Sequence, residues 1–189
     1  VGRGNGGGGA GIWPIYMSSY VKFMKAEAAM WLGDAPTAAT YMQQGIEESI
    51  AKVQSMGIVD PEADATMFPS AAYNATFVAN IMAEFNAAPI STPYDATIMY
   101  PTAKDKMDIL GEQYLVALYG GANDAWNFIR RTGYPRTLQR SLADPGESGP
   151  FPRTGTYPSG EVSANPSINQ RPNNTTLVFW DAGVLNPAN

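Results

Sequence analysis

Few residues in this chain have the types and spacing that chemistry needs. Asp60, Glu62 and Asp64 alternate, in the manner of a calcium loop, in a stretch that carries Pro61 and Pro69. They lack the central glycine and the distal bidentate glutamate of an EF-hand, so they read as a solvated acidic turn. Glu161 and Arg153 could form an acid/base or ion pair. Glycoside hydrolysis, however, needs two carboxylates about 5 to 9 Å apart, and nothing marks a partner for Glu161. Both residues read as pins for the C-terminal segment. Arg130 and Arg131 could together hold an anion, but one step along a helix turns about 100° and points them apart. One is expected to face the tail and the other a helix terminus. The glycine run Gly6–Gly9 lacks the preceding strand and the Lys-Ser/Thr of a phosphate cradle.

What is missing narrows the chemistry further. There is no histidine and no cysteine, which removes Ser-His-Asp triads, thiol nucleophiles, disulfides and His-ligated zinc. No cofactor or metal is expected. A net charge of −5 argues against nucleic acid, whose phosphates need clustered Lys and Arg. No apolar run is long enough to span a bilayer. With 44% hydrophobic residues in 189, the chain can bury a core of its own.

The residues left for binding are aromatic. Trp13 follows the glycines and precedes Pro14, outside any helical stripe. Tyr94 and Tyr100 lie in a proline-rich loop. These three are the candidate ligand-binding residues. Trp31, Trp126 and Trp180 lie in apolar patterns and read as core.

Helices must position these groups. Residues 1–14 read as a glycine-rich connector, and the start at Val1 reads as a piece of a larger protein. Met17, Tyr20, Val21, Met24, Ala28, Trp31 and Leu32 recur at helical spacing and are assigned to one inward face. Gly33 closes that helix. Asp34 caps a second, expected over about 35–56, with Ala38, Ala39, Met42, Ile46, Ile50 and Val53 inward and Gly57 as terminator. The short joint makes the pair antiparallel, a tetratricopeptide-like hairpin over 17–56 that must stack on something more. Further helices are expected over 70–87, from a Thr102/Asp105 capping box to Gly120, and from an Asn123 cap to Gly133.

Residues 15–134 thus form a helical domain. Residues 135–189 hold eight of the fifteen prolines, with Leu177–Trp180 the only strand-like stretch. This segment keeps Phe151, Tyr157, Phe179 and Trp180, and isolated arginines at 136, 140, 153 and 171. Residues 1–110 carry 6 basic and 11 acidic groups, residues 111–189 carry 6 and 6. The reading is an irregular coat pinned on an acidic helical body.

Three stretches, in order, resemble one family. Pro14-Ile15-Tyr16-Met17 through Ala26-Glu27-Ala28, continued by Gly33-Asp34, Tyr41 and Gly45-Ile46-Glu47-Glu48-Ser49, resembles the helix entry of SusD/RagB-like nutrient-binding lipoproteins. Ala125-Trp126-Asn127-Phe128-Ile129-Arg130-Arg131-Thr132-Gly133-Tyr134-Pro135 is similar to a segment near that family's C-terminal third. Arg153, Tyr157-Pro158, Glu161, Asn165-Pro166 and Phe179-Trp180-Asp181 resemble its closing run. The resemblance implies an all-α fold of tetratricopeptide-like hairpins packed with long irregular proline-rich loops. It implies a non-catalytic, lipid-anchored protein on the extracellular face of the outer membrane in Bacteroidota. Such a protein acts as the lid of a SusC-like TonB-dependent transporter and captures an oligosaccharide or peptide. The lipid-bearing cysteine and the N-terminal half of the family pattern are not in this sequence, which fits a C-terminal portion working with that half. A tetratricopeptide-type scaffold gripping another protein's peptide is the alternative.

Overall fold

The computed structural model describes residues 14–58, 64, 66, 68–92, 103–138 and 151–181. Among these residues six helices follow one another: α1 (Ser18–Trp31), α2 (Ala35–Ile58), α3 (Ala71–Ala87), α4 (Lys106–Ala117), α5 (Ala122–Thr132) and the short α6 (Ser159–Ala164). Among the described residues there is no strand, so Leu177–Trp180 does not form the expected one.

The hairpin forms for the reasons its joint implies. Gly33 takes φ 78°, a left-handed conformation that a Cβ would strain, and its N–H donates to the Met30 carbonyl at 3.0 Å. The Asp34 carboxylate accepts from the Thr37 N–H at 3.0 Å, satisfying one free donor of α2. The helices then approach closely through Ala26, Ala29, Ala38 and Gly45. A Cβ on Gly45 would lie 2.9 Å from the Phe23 ring, so only glycine lets that ring lie flat between the helices.

The face that α1 buries differs from the expected stripe. Ser19, Tyr20, Phe23, Ala26, Glu27 and Ala29 are buried, whereas Met24, Trp31 and Leu32 are exposed. Two apolar faces compete on α1, and the one carrying Phe23 is chosen by its partner. Phe23 stacks on Tyr114 of α4 at a centroid distance of 5.1 Å, and Tyr114 meets Phe128 of α5 edge-on at 5.1 Å. This aromatic column, with Met42, Ile46, Leu110 and Leu118, is the centre of the core.

α2 is also longer than expected. It has 24 residues against 14 in α1, so at about 1.5 Å per residue it outruns its partner by about 15 Å, nearly three turns. Val53 therefore has nothing opposite and is exposed. Gly57 does not terminate the helix; a Cβ there would sit 2.5 Å from the Phe68 ring, so it makes room for that side chain.

α3 starts at the Ser70 cap, whose hydroxyl accepts from the Tyr73 N–H. Tyr73, Phe77, Ile81 and Phe85 recur at four-residue spacing, which suggests one inward face, but of these only Phe85 is buried; Ile81 is half-buried, Tyr73 and Phe77 are exposed, and Val78 is buried instead. A four-residue repeat drifts about 40° per step on a 3.6-residue helix, so Tyr73 and Phe85 cannot share a face.

α4 begins one register later than a Thr102 cap implies. Asp105 is its N-cap, and the Asp105 and Asp108 carboxylates each accept from the other's backbone N–H. α5 is capped by Gly121 without a side-chain bond, so Asn123 lies inside the helix; Gly133, at φ 75°, closes it.

Candidate functional site

Each charged side chain that the structure buries is tied to a partner in another element. At the N-terminus of α4, the Arg136 guanidinium donates to Asp105 at 2.7 Å, to Asp108, and to the Thr92 carbonyl at 3.0 Å. Burial pushes the Asp105 carboxyl above the usual carboxylate range, and the neighbouring Asp108 adds to that. Tyr134 also donates to Asp105, at 3.2 Å. Burial, with the nearby Asp105 charge, pushes its hydroxyl up to about 12. This cluster fastens the start of the C-terminal segment and the end of the α3 loop to one helix end.

A second fastening lies on α5. The Trp126 indole N–H donates to the Pro152 carbonyl, and Arg130 donates to the Arg153 carbonyl and the Asn127 side chain. The Arg130 guanidinium carbon is 3.6 Å from the Trp126 ring centroid and 4.4 Å from that of Trp180. These two tryptophans are therefore half-buried or exposed partners of an arginine, not core residues as the pattern implied. A planar cation gives them a buried face while the indole edges stay wet. Arg153 is buried against Asp181, and its N–H and that of Thr154 donate to the Asn174 carbonyl at 2.7 and 2.9 Å. Glu161 is exposed and accepts only from Asn165, four residues on, so it pins nothing to the helices.

Arg131 does point away from Arg130, but to a carboxylate rather than a helix terminus. It grips both oxygens of Glu27 on α1, and that hydrogen bonding raises its pKa above the ordinary guanidinium value. Glu27 also accepts from the Trp31 indole N–H at 3.3 Å. Glu27 lay outside the apolar stripe and Trp31 inside it. A lone Glu among alanines, with an unassigned arginine far downstream, is the signal that could have exchanged them.

Among the described residues a concavity of about 610 Å³ lies between α2 and α3. Its floor is Ile50, Val78 and Met82; Gln43, Gln54 and Asn74 stand at its rim. Asn74 donates to Gln54 at 3.2 Å, and Gln54 to the Pro69 carbonyl at 3.1 Å, which fixes the amides in place. An apolar floor beneath oriented amides can bind an extended polar chain. One carboxylate lines it, Glu47, which accepts from the Gln43 amide at 2.8 Å, and no second acid stands beside it among the lining residues. Among the described residues no three acidic side chains converge as a metal would require. The sequence-derived candidates Trp13, Tyr94 and Tyr100 lie outside the described residues.

Among the described residues, no helix is long and apolar enough to cross a membrane. No curated protein and no solved structure matches the chain. The family model for SusD-like proteins, described as SusD and RagB outer membrane lipoprotein, matches residues 13–172, which takes in the hairpin, the aromatic column and the C-terminal segment as far as Pro172. Members of that family are nutrient-binding proteins of the outer membrane and are generally non-catalytic. With helices throughout and an irregular C-terminal coat, the chain belongs to the SusD-like family of outer membrane lipoproteins.

Proposed function

We propose that this chain is part of a non-catalytic lid that captures an oligosaccharide or peptide at the cell surface for a SusC-like TonB-dependent transporter. The observation that carries this reading is the pairing of family membership with a groove of fixed amides over an apolar floor. Such a surface retains a hydroxylated or amide-bearing chain through hydrogen bonds and contact area, and releases it chemically unchanged. Family membership also supports reading a lipid anchor, an extracellular location and a partnership with an N-terminal helical half. That half has apolar surface to meet: Tyr73 and Phe77 on α3 and Val53 on α2 are exposed although they lie on helices.

The test has two parts. The whole protein is co-expressed and co-purified with a SusC-like transporter from the same source, and is separately applied to glycan and peptide arrays. A stable complex and retention of an unmodified ligand support the lid. Turnover of any glycoside or peptide bond, or retention of nothing by the whole protein, would overturn it. Capture of a partner protein's peptide with no transporter bound would favour the scaffold instead.

A further inference from the structure

We infer that Glu47 makes the α2/α3 groove selective for a short extended peptide with a Lys or Arg side chain at one end and an aliphatic side chain at its middle. This rests on the nutrient-binding reading above and narrows its ligand, at the same groove, to one chemistry.

The groove has the length and the floor for such a chain. Gln43, Glu47, Ile50 and Gln54 recur on one face of α2 and line it from end to end. From residue 43 to 54 the helix rises about 16 Å, the span of about five extended residues. α3 runs back along it: Asn74, near the start of α3, donates to Gln54 at 3.2 Å, so Met82 lies at the Glu47 end. Ile50 and Val78 form the floor between, and no aromatic ring lines the groove. A pyranose has no π face to lie on there, whereas a Leu, Ile or Val side chain fills an aliphatic trough.

The rim selects by hydrogen bonds and by charge. Gln43 spends one amide N–H on Glu47 at 2.8 Å, and Asn74 and Gln54 each spend one on a fixed acceptor. Each amide keeps a second N–H, and the side-chain oxygens of Gln43 and Asn74 stay free. A peptide backbone, with a donor and an acceptor at every residue, matches that mixture. Glu47 then sets the sign. Lys22 of α1 is taken by Glu48 at 3.6 Å and Gln44 at 2.8 Å, and the one charged residue of α3, Glu84, holds Lys104 at 3.1 Å. Among the described residues no cation pairs with Glu47, which is exposed and bonded only to the neutral Gln43. An ammonium or guanidinium completes the pair at the groove's end, while a glutamate or a uronate is repelled. The 6 basic and 11 acidic groups of residues 1–110 steer ligands of the same sign toward it.

The experiment measures binding to the whole protein by isothermal titration calorimetry at low and high salt. The probes are maltohexaose, a glucosamine hexamer, and pentapeptides blocked at both ends, with Leu at the centre and Lys, Gln or Glu at either end. The Lys peptide is expected to bind about three- to fivefold more tightly than the Gln peptide, and the Glu peptide more weakly than both. High salt should shrink that difference, Glu47→Gln should erase it, and Glu47→Lys should invert it. Ala75→Trp, which fills the groove from an exposed position on α3, should abolish binding. Equal binding of the three peptides, or Lys-peptide binding that survives Ala75→Trp, would overturn the inference. Binding of either hexamer without any peptide, blocked by Ala75→Trp, would overturn the peptide assignment and leave the lid standing. Binding of no probe would overturn this inference, and the lid falls with it only if the wider arrays also retain nothing.

Discussion

Arg131 and Glu27 are 104 residues apart in sequence and meet as a bidentate ion pair, with one N–H···O contact of 2.8 Å. The pair joins the first helix to the fifth. It is asymmetric: the carboxylate is buried at 4% side-chain exposure, while the guanidinium side chain is 50% exposed. Removing one partner should therefore differ from removing the other.

Arg131→Ala leaves Glu27 charged and buried without its cation. Breaking a buried pair costs about 3 to 5 kcal/mol, and the exposed half of this arginine reduces that to about 2 kcal/mol. Glu27→Gln strands no buried charge and should cost less than half as much. Denaturant unfolding of the two variants checks the order. Equal losses would show that the buried charge is not what matters.

Gly45→Ala places a methyl group 2.9 Å from the Phe23 ring, which is itself locked on Tyr114. The ring cannot retreat without disturbing the column behind it. Overpacking of this kind should lower stability by about 1 to 3 kcal/mol, despite alanine's better helix propensity. A thermal melt that rises instead would mean the helices can separate freely.

Asp181→Ala uncouples the buried Arg153 from its carboxylate and should loosen the C-terminal segment before the helices. Hydrogen exchange reads this directly. The Arg153 and Thr154 amides, which donate to the Asn174 carbonyl, should lose protection, while amides of α1 and α2 keep theirs. Uniform loss across the chain would show that coat and helices unfold as one unit.

Alkaline pH should unfold this protein through its buried tyrosines. Tyr134 ionises at about 12 in the folded chain against 10.0 unfolded, so above pH 10 the unfolded state releases protons that the folded state retains. Stability is then undiminished below pH 10 and falls as pH rises toward 12. Tyr20 and Tyr114 are raised as well, chiefly by burial, and shift in the same direction. The part of the tyrosinate absorbance that comes from Tyr20, Tyr114 and Tyr134 should therefore appear together with loss of helical signal, as a step beyond that of the exposed tyrosines, and Tyr134→Phe should make the decline shallower.

Much of the architecture could be read from residue order alone. Gly33-Asp34 specifies a tight joint because a positive φ and a carboxylate cap are local requirements, met within a few residues of chain. Gly133 ends α5 for the same reason. The helical character of 18–31, 35–58 and 71–87 follows from apolar spacing, and the absence of a sheet ladder from the described part of the tail follows from its prolines. The family resemblance, carried by stretches from Pro14 to Asp181, extended these local signals to a fold and a class of function.

Which face of a helix is buried is not a local property. On α1 the Phe23 and Met24 faces are both apolar, and the choice falls to Phe23 because Tyr114 and Gly45 offer it a flat slot. That choice turns Trp31 out to solvent and Glu27 inward. Glu27 is tolerable there only because Arg131 arrives from the far end of the sequence. Asp105 and Asp108 likewise cap their own helix by local rules, but sharing Arg136 depends on the chain's return across α4. Caps and turns are decided by neighbours in sequence; burial and ion pairing are decided by neighbours in space, and only the folded chain supplies those.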